Sequence, residues 1–195
     1  MTRSLRRRFS QGFSLLEAVL VLGIMGLVLG GVFALIPTVR GQMNLNEAIE
    51  DLNMIVNNVH TYYAARAYPS GLKACNGNFN NYDDISGKGI FPSSMEVTSG
   101  VETYVHNPLS PVLTETTAEV KLCGSDPVRF IVRYKNVPKS ACVSVVKKTG
   151  VEQKDAGLYL VFVNGNWLGT TLSGVVFVCS EENNDIDWYY NLSRL

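Results

Sequence analysis

Residues 8–36 read RFSQGFSLLEAVLVLGIMGLVLGGVFALI, and their reading decides how the chain is built. A basic stretch ends at Gly12, and an apolar run follows from Phe13 to Ile36 with one charge in it, Glu17. As a helix rising about 1.5 Å per residue, the run spans roughly 36 Å, more than the roughly 30 Å hydrocarbon core of a bilayer. It predicts a transmembrane helix with some tilt. The run is too long for the apolar region of a cleaved signal peptide, and no A-x-A site follows it; Pro37, Thr38, Val39 and Arg40 do.

Glu17 is the anomaly in this run. A carboxylate at the bilayer centre costs on the order of 3 kcal/mol, and less toward the interface. Glu17 lies one turn into the run, so its cost is intermediate; it either snorkels, stays protonated or finds a partner. Here the residues carry a resemblance. Gly12-Phe13-Ser14-Leu15-Leu16-Glu17, behind arginines and ahead of an uninterrupted apolar run, resembles the class III signal of type IV pilins and the related pseudopilins. The resemblance implies that a prepilin peptidase cuts between Gly12 and Phe13 on the cytoplasmic face and N-methylates Phe13. It implies that the helix stays on the mature chain, and that Glu17 meets the new amino group of a neighbouring subunit's Phe13 during assembly. A buried carboxylate is tolerable when a cation pairs with it.

The leader, residues 1–12, contains Arg3, Arg6, Arg7 and Arg8 and no acid. Positive residues flanking a span stay cytoplasmic, so everything after Ile36 is expected outside the cytoplasm. The expected location is therefore a bacterial inner membrane with a periplasmic head, and after assembly an extracellular pilus. The formal net charge is zero, which gives no sign of a nucleic-acid surface. Without its leader the chain is slightly acidic. About 130 residues remain beyond the long helix, enough for one core.

The helical pattern continues past the membrane segment. Pro37 and Gly41 are expected to interrupt and loosen it. Beyond them Leu45, Ala48, Ile49, Leu52, Ile55, Val56, Val59, Tyr62 and Tyr63 recur at three- and four-residue steps, with Asn46, Glu47, Glu50, Asn53, Asn57 and Asn58 opposite. This predicts an amphipathic continuation over 37–67, ending before Tyr68 and Pro69. Residues 68–195 then form the head. Within it, 68–106 reads as a long irregular surface loop with at most one short helical turn, rich in Gly, Pro and Asn. Its Asn and Asp residues at 80–84 have poor spacing for calcium.

Strands are predicted over Val112–Leu122, Val128–Tyr134, Leu158–Val163, Val175–Val178 and Ile186–Leu192. The third meets Asn164-Gly165-Asn166, a hairpin-type turn. One long helix followed by four or five strands indicates an α+β fold with a mostly antiparallel sheet. The four cysteines, Cys75, Cys123, Cys142 and Cys179, all lie in the exported part. An even count in an oxidising compartment points to two disulfides with three possible connectivities, or to one bridge and two buried thiols. No C-x-x-C spacing or histidine cluster accompanies them, so no metal or cofactor is expected.

The head adds a second resemblance. Pro138-Lys139-Ser140-Ala141-Cys142-Val143-Ser144-Val145 resembles the cysteine-bearing short helix of type IVb pilins, and His106-Asn107-Pro108-Leu109 resembles the approach to their sheet. It implies a Cys142–Cys179 bridge, Cys179 standing shortly before the final strand. Cys75 and Cys123, which are not part of that one-disulfide pattern, are then left for each other. The twelve-residue leader and the phenylalanine after it depart from the type IVb pattern, so the subclass stays open.

No enzyme is expected. The two histidines, His60 and His106, fit packing or surface positions, and no Ser-His-Asp, H-E-x-x-H or P-loop spacing is present. Asp185 and Asp187 read as a charged sheet edge that guards against misaggregation. Trp188, Tyr189 and Tyr190 read as sheet packing or a contact surface. The expected function is a structural subunit of a type IV pilus serving adhesion, aggregation or motility. Its expected partners are itself, the prepilin peptidase and the inner-membrane assembly machinery. The alternatives are a minor priming or tip pilin and a type II secretion pseudopilin.

Overall fold

The computed structural model describes residues 14–75, 79–99, 102–124, 128–152, 157–168 and 172–192. The chain divides into two compact units, Met1–Arg40 and Gly41–Leu195. The architecture is α+β. Helix α1, Leu15–Ala64, contributes to both units. It runs unbroken through Pro37 and Gly41, where the sequence pattern predicts an interruption. An interior proline forfeits its own bond to the carbonyl four residues back, and the helical bonds of its neighbours carry the chain across. The helix stops at Ala64, three residues before the predicted end. In the first unit, the large apolar side chains of α1 are all exposed or nearly so.

In the second unit, α1 lays its predicted stripe against a sheet. Leu45, Ala48, Leu52, Ile55 and Val59 are buried with 4% exposure or less. The described residues form β1 (Asp83–Asp84), β2 (Glu96–Ser99), β3 (Glu102–Val105), β4 (Ala118–Cys123) and β5 (Arg129–Pro138). After α2 (Lys139–Val146) and a π-helical turn at Lys147–Glu152 come β6 (Leu158–Val163), β7 (Asn166–Trp167), α3 (Leu172–Val178) and β8 (Asn183–Asn191). Six strands form one antiparallel sheet in the order β1-β4-β5-β8-β6-β7, and β2 and β3 pair separately.

The sheet is covered on both faces. Strand alternation sends Val120, Leu122, Phe130, Val132, Tyr134, Ile186, Trp188 and Tyr190 into the larger core with α1. Tyr134 donates its hydroxyl to the Ala48 carbonyl at 3.4 Å, and Trp188 Nε1 donates to Thr149 Oγ1 at 2.9 Å. A buried aromatic with a polar atom needs such a partner. The opposite parity places Cys123, Ile131 and Tyr189 in a smaller core under Phe79 and Tyr82. Those two aromatics come from the segment predicted to be an irregular loop. It contains three 3-10 turns, β1, and the β2–β3 pair.

Three further expectations are corrected. Val175–Val178 is helical, part of α3; Val175 and Val178 are buried at a three-residue step while Val176 and Phe177 are exposed, which is a helix period overriding β-branched propensity. Residues 112–117 lie outside β4, which starts at Ala118. Ile186–Leu192 alternates apolar and polar residues in sequence, as a one-sided strand would, yet it does not alternate between core and solvent. Its strand, β8, is central, between β5 and β6, and Ile186 through Tyr190 are all buried. Asp187 is consequently no edge charge. The predicted Leu158–Val163 strand is β6, and Asn164 and Gly165, at φ 52° and 76°, form its two-residue turn into β7 with both left-handed positions such a hairpin uses.

Candidate assembly segment and head surface

Gly12 and Phe13, the expected cleavage and methylation positions, lie outside the described residues. Glu17 is in the first turn of α1 and exposed. The Ser14 carbonyl accepts the Glu17 N–H at 2.9 Å and the Ala18 N–H at 3.1 Å, so the helix begins at that residue. Glu17 therefore sits at the positive end of the helix dipole, where a carboxylate gains about 0.3–1 kcal/mol. Ser14-Leu15-Leu16-Glu17 also has the S-x-x-E spacing of a capping box, a signal the sequence carries beside the processing motif. Leu16, Leu20 and Ile24, one face of that helix, are each more than half exposed. Among the described residues α1 is the one helix long and apolar enough to cross a membrane.

Two disulfides fix the head. Cys142–Cys179 joins α2 to the residue after α3, with Cα atoms 5.9 Å apart. Cys75–Cys123 joins the segment after α1 to the end of β4, at 5.1 Å. The second bridge anchors the segment that carries Phe79 over the outer sheet face. There Arg133 Cζ lies 3.8 Å, and Lys121 Nζ 4.5 Å, from the centre of the Phe79 ring. Arg133 also makes a two-pronged pair with Asp187, at 2.5 and 2.6 Å. Burial pushes the Asp187 carboxyl up, against the pull of Arg133.

The histidines stand apart. His60, half-buried, meets the Phe130 ring edge-on at 5.5 Å, and burial lowers its pKa. His106 is buried beside Tyr104, with both ring nitrogens free of hydrogen-bond partners. Neither approaches a nucleophile or an acid in a catalytic arrangement among the described contacts. Asp51, on α1 and 2% exposed, accepts the Ser94 hydroxyl at 3.2 Å on Oδ1 while Oδ2 has no partner. Among the described residues no group of three His, Cys, Asp or Glu side chains is placed to hold a metal.

Open grooves lie on the head surface among the described residues. One, of about 690 Å³, runs along the second half of α1 and includes Asn46, Glu50, Met54 and Lys148. Another, of about 830 Å³, lies between α2 and α3 and includes Lys139, Val143, Val176 and Glu182. Trp188, Tyr189 and Tyr190 line neither, being buried in the sheet. A family model described as PilS N terminal matches residues 42–191, nearly the whole second unit. A comparison with the curated proteins finds no match.

Proposed function

The chain belongs to the PilS N-terminal family, a type IV pilus-related family, and on that footing we propose that it is a structural subunit of the pilus filament. The observation that carries this reading is the contrast along α1. From Leu45 the helix buries one face against the sheet, whereas before Arg40 its described apolar side chains are exposed or nearly so. Such a segment is stable in lipid, and afterwards among the same segments of other copies. In this reading the prepilin peptidase cuts after Gly12 and methylates Phe13. The head then waits in the periplasm on its membrane helix, and the assembly machinery passes the subunit into an extracellular filament. In the same reading Glu17, exposed at the helix start, receives the Phe13 ammonium of a neighbouring subunit. Neither the fold nor the paired side chains of the head support a catalytic role.

Mass spectrometry of sheared, purified surface filaments tests the proposal. The expected result is a chain that starts at N-methylated Phe13 and is the most abundant component. A trace component would make it a minor subunit, and absence from the filaments would refute the reading.

A further inference from the structure

The two head grooves carry the same pair of charges beside exposed apolar side chains. In the α2–α3 groove, Lys139 donates its backbone N–H to the Glu182 carbonyl at 3.2 Å, so the two charged residues are neighbours in the fold. Above them Val176 is 59% and Phe177 80% exposed, on a short helix whose position is fixed by Cys142–Cys179. Two adjacent exposed apolar side chains on a held helix offer a surface for contact. In the α1 groove, Lys148 Nζ lies 3.5 Å from Asn46 Oδ1, and Glu50 is one helical turn from Asn46. Half-buried Ile49 and exposed Met54 line the same groove. The ion pairs among the described residues are Arg133–Asp187 and Lys135–Glu119, so these four groove charges have no ionic partner among those residues.

We infer that the α2–α3 groove of one subunit docks on the α1 groove of a second copy, with Phe177 seated against Ile49 and Met54, Lys139 facing Glu50 and Glu182 facing Lys148. The inference rests on the reading of the chain as a filament subunit. Two observations select this occupant. Phe177 is a projection that needs a recess, and the α1 groove offers one lined by Ile49 and the flexible Met54. Each groove also presents one lysine and one acid, so both charges of each find a partner across the contact. Because the two surfaces differ, the contact is heterologous, and one that does not close on itself propagates as a helix. A contact of the α2–α3 groove with its own copy would instead close as a dimer.

Charge reversal in the full-length chain tests this contact. Lys139→Glu or Glu50→Lys alone should cut sheared filament mass about tenfold, since each sets like charges against each other across the contact. The double variant should return to near wild type. Strain inside one subunit does not give that pattern, because the second reversal would add to it. Benzoylphenylalanine in place of Phe177 should cross-link in assembled filaments to a peptide within residues 46–57 of another subunit. Single variants that assemble normally, or a double variant as poor as the singles, would overturn the contact. So would a cross-link to residue 177 of another copy, or to a different protein. A wild-type chain that forms no filaments would overturn the subunit reading itself, and this contact with it.

Discussion

Arg133 and Asp187 face each other across β5 and β8, with Nε 2.5 Å from Oδ1 and Nη2 2.6 Å from Oδ2, beneath the ring of Phe79. The side chains are 18% and 7% exposed, so little water reaches the pair. Removing one partner strands the other charge in a nearly dry site. Asp187→Ala should cost about 3–5 kcal/mol in chemical denaturation. Replacing both, Arg133→Met with Asp187→Leu, should cost far less. Equal losses for the single and double variants would show that packing, and not the stranded charge, dominates.

Asp51 gives the head a pH dependence. Burial raises its carboxyl, the Ser94 hydroxyl opposes that, and Glu47 and Glu50 add to the rise. A folded-state value above the unfolded one means that the folded head holds more protons between the two. Stability should therefore fall as pH rises from about 4, the unperturbed Asp range, through the raised value. Asp51→Asn should flatten this part of a urea-stability profile, leaving a residual slope of the same sign from Asp187, which burial raises as well. An unchanged profile would show that water reaches Asp51 in solution.

The two bridges close loops with sequence separations of 37 and 48 residues. Replacing either pair by alanine should cost on the order of 3–4 kcal/mol, chiefly by freeing the unfolded chain. Peptide mapping without reduction should recover Cys142 with Cys179 and Cys75 with Cys123. A peptide joining Cys75 to Cys142 would contradict both.

Glu17→Gln keeps the side chain's shape and removes its charge. The variant should insert, be processed and form both disulfides, because Glu17 lies in the first turn of α1, outside the unit that holds them. Filament yield should nevertheless fall by about tenfold or more, since a Phe13 ammonium in an apolar core would lack its partner. Wild-type filament abundance and length in this variant would rule out the ion pair.

The parts of the fold legible in the sequence are those where one physical demand acts alone. The stripe of Leu45, Ala48, Leu52, Ile55 and Val59 has a single face to bury, so its period is plain, and Asn164-Gly165 admits few backbone conformations. Where two demands compete, the pattern misleads. Val175–Val178 is rich in β-branched residues, yet the helix it forms satisfies burial every third residue. Ile186–Leu192 reads as one-sided because Asp187 is charged, and nothing local reveals that Arg133, 54 positions earlier, covers it. The β2–β3 pair joins polar residues such as Thr98 and Thr103, which leave no apolar alternation to read. The grooves are assembled from α1, α2 and α3 and have no counterpart in any one segment. The assembly segment is the reverse case: Glu17 stands out in sequence because an apolar run is intolerant of charge.

The central place of β8 constrains the order of events during folding. It is the last strand of the sheet to be synthesised, and it separates β5 from β6, which have no direct pairing without it. Until residues 183–191 are in place, β5 and β6 each keep a bare row of amides and carbonyls, the condition under which strands pair with the wrong chain. Closing of this sheet thus waits on its final described strand. A chain that lacks it is not a smaller version of the fold but two unsatisfied half-sheets, a distinct target for chaperones and proteases.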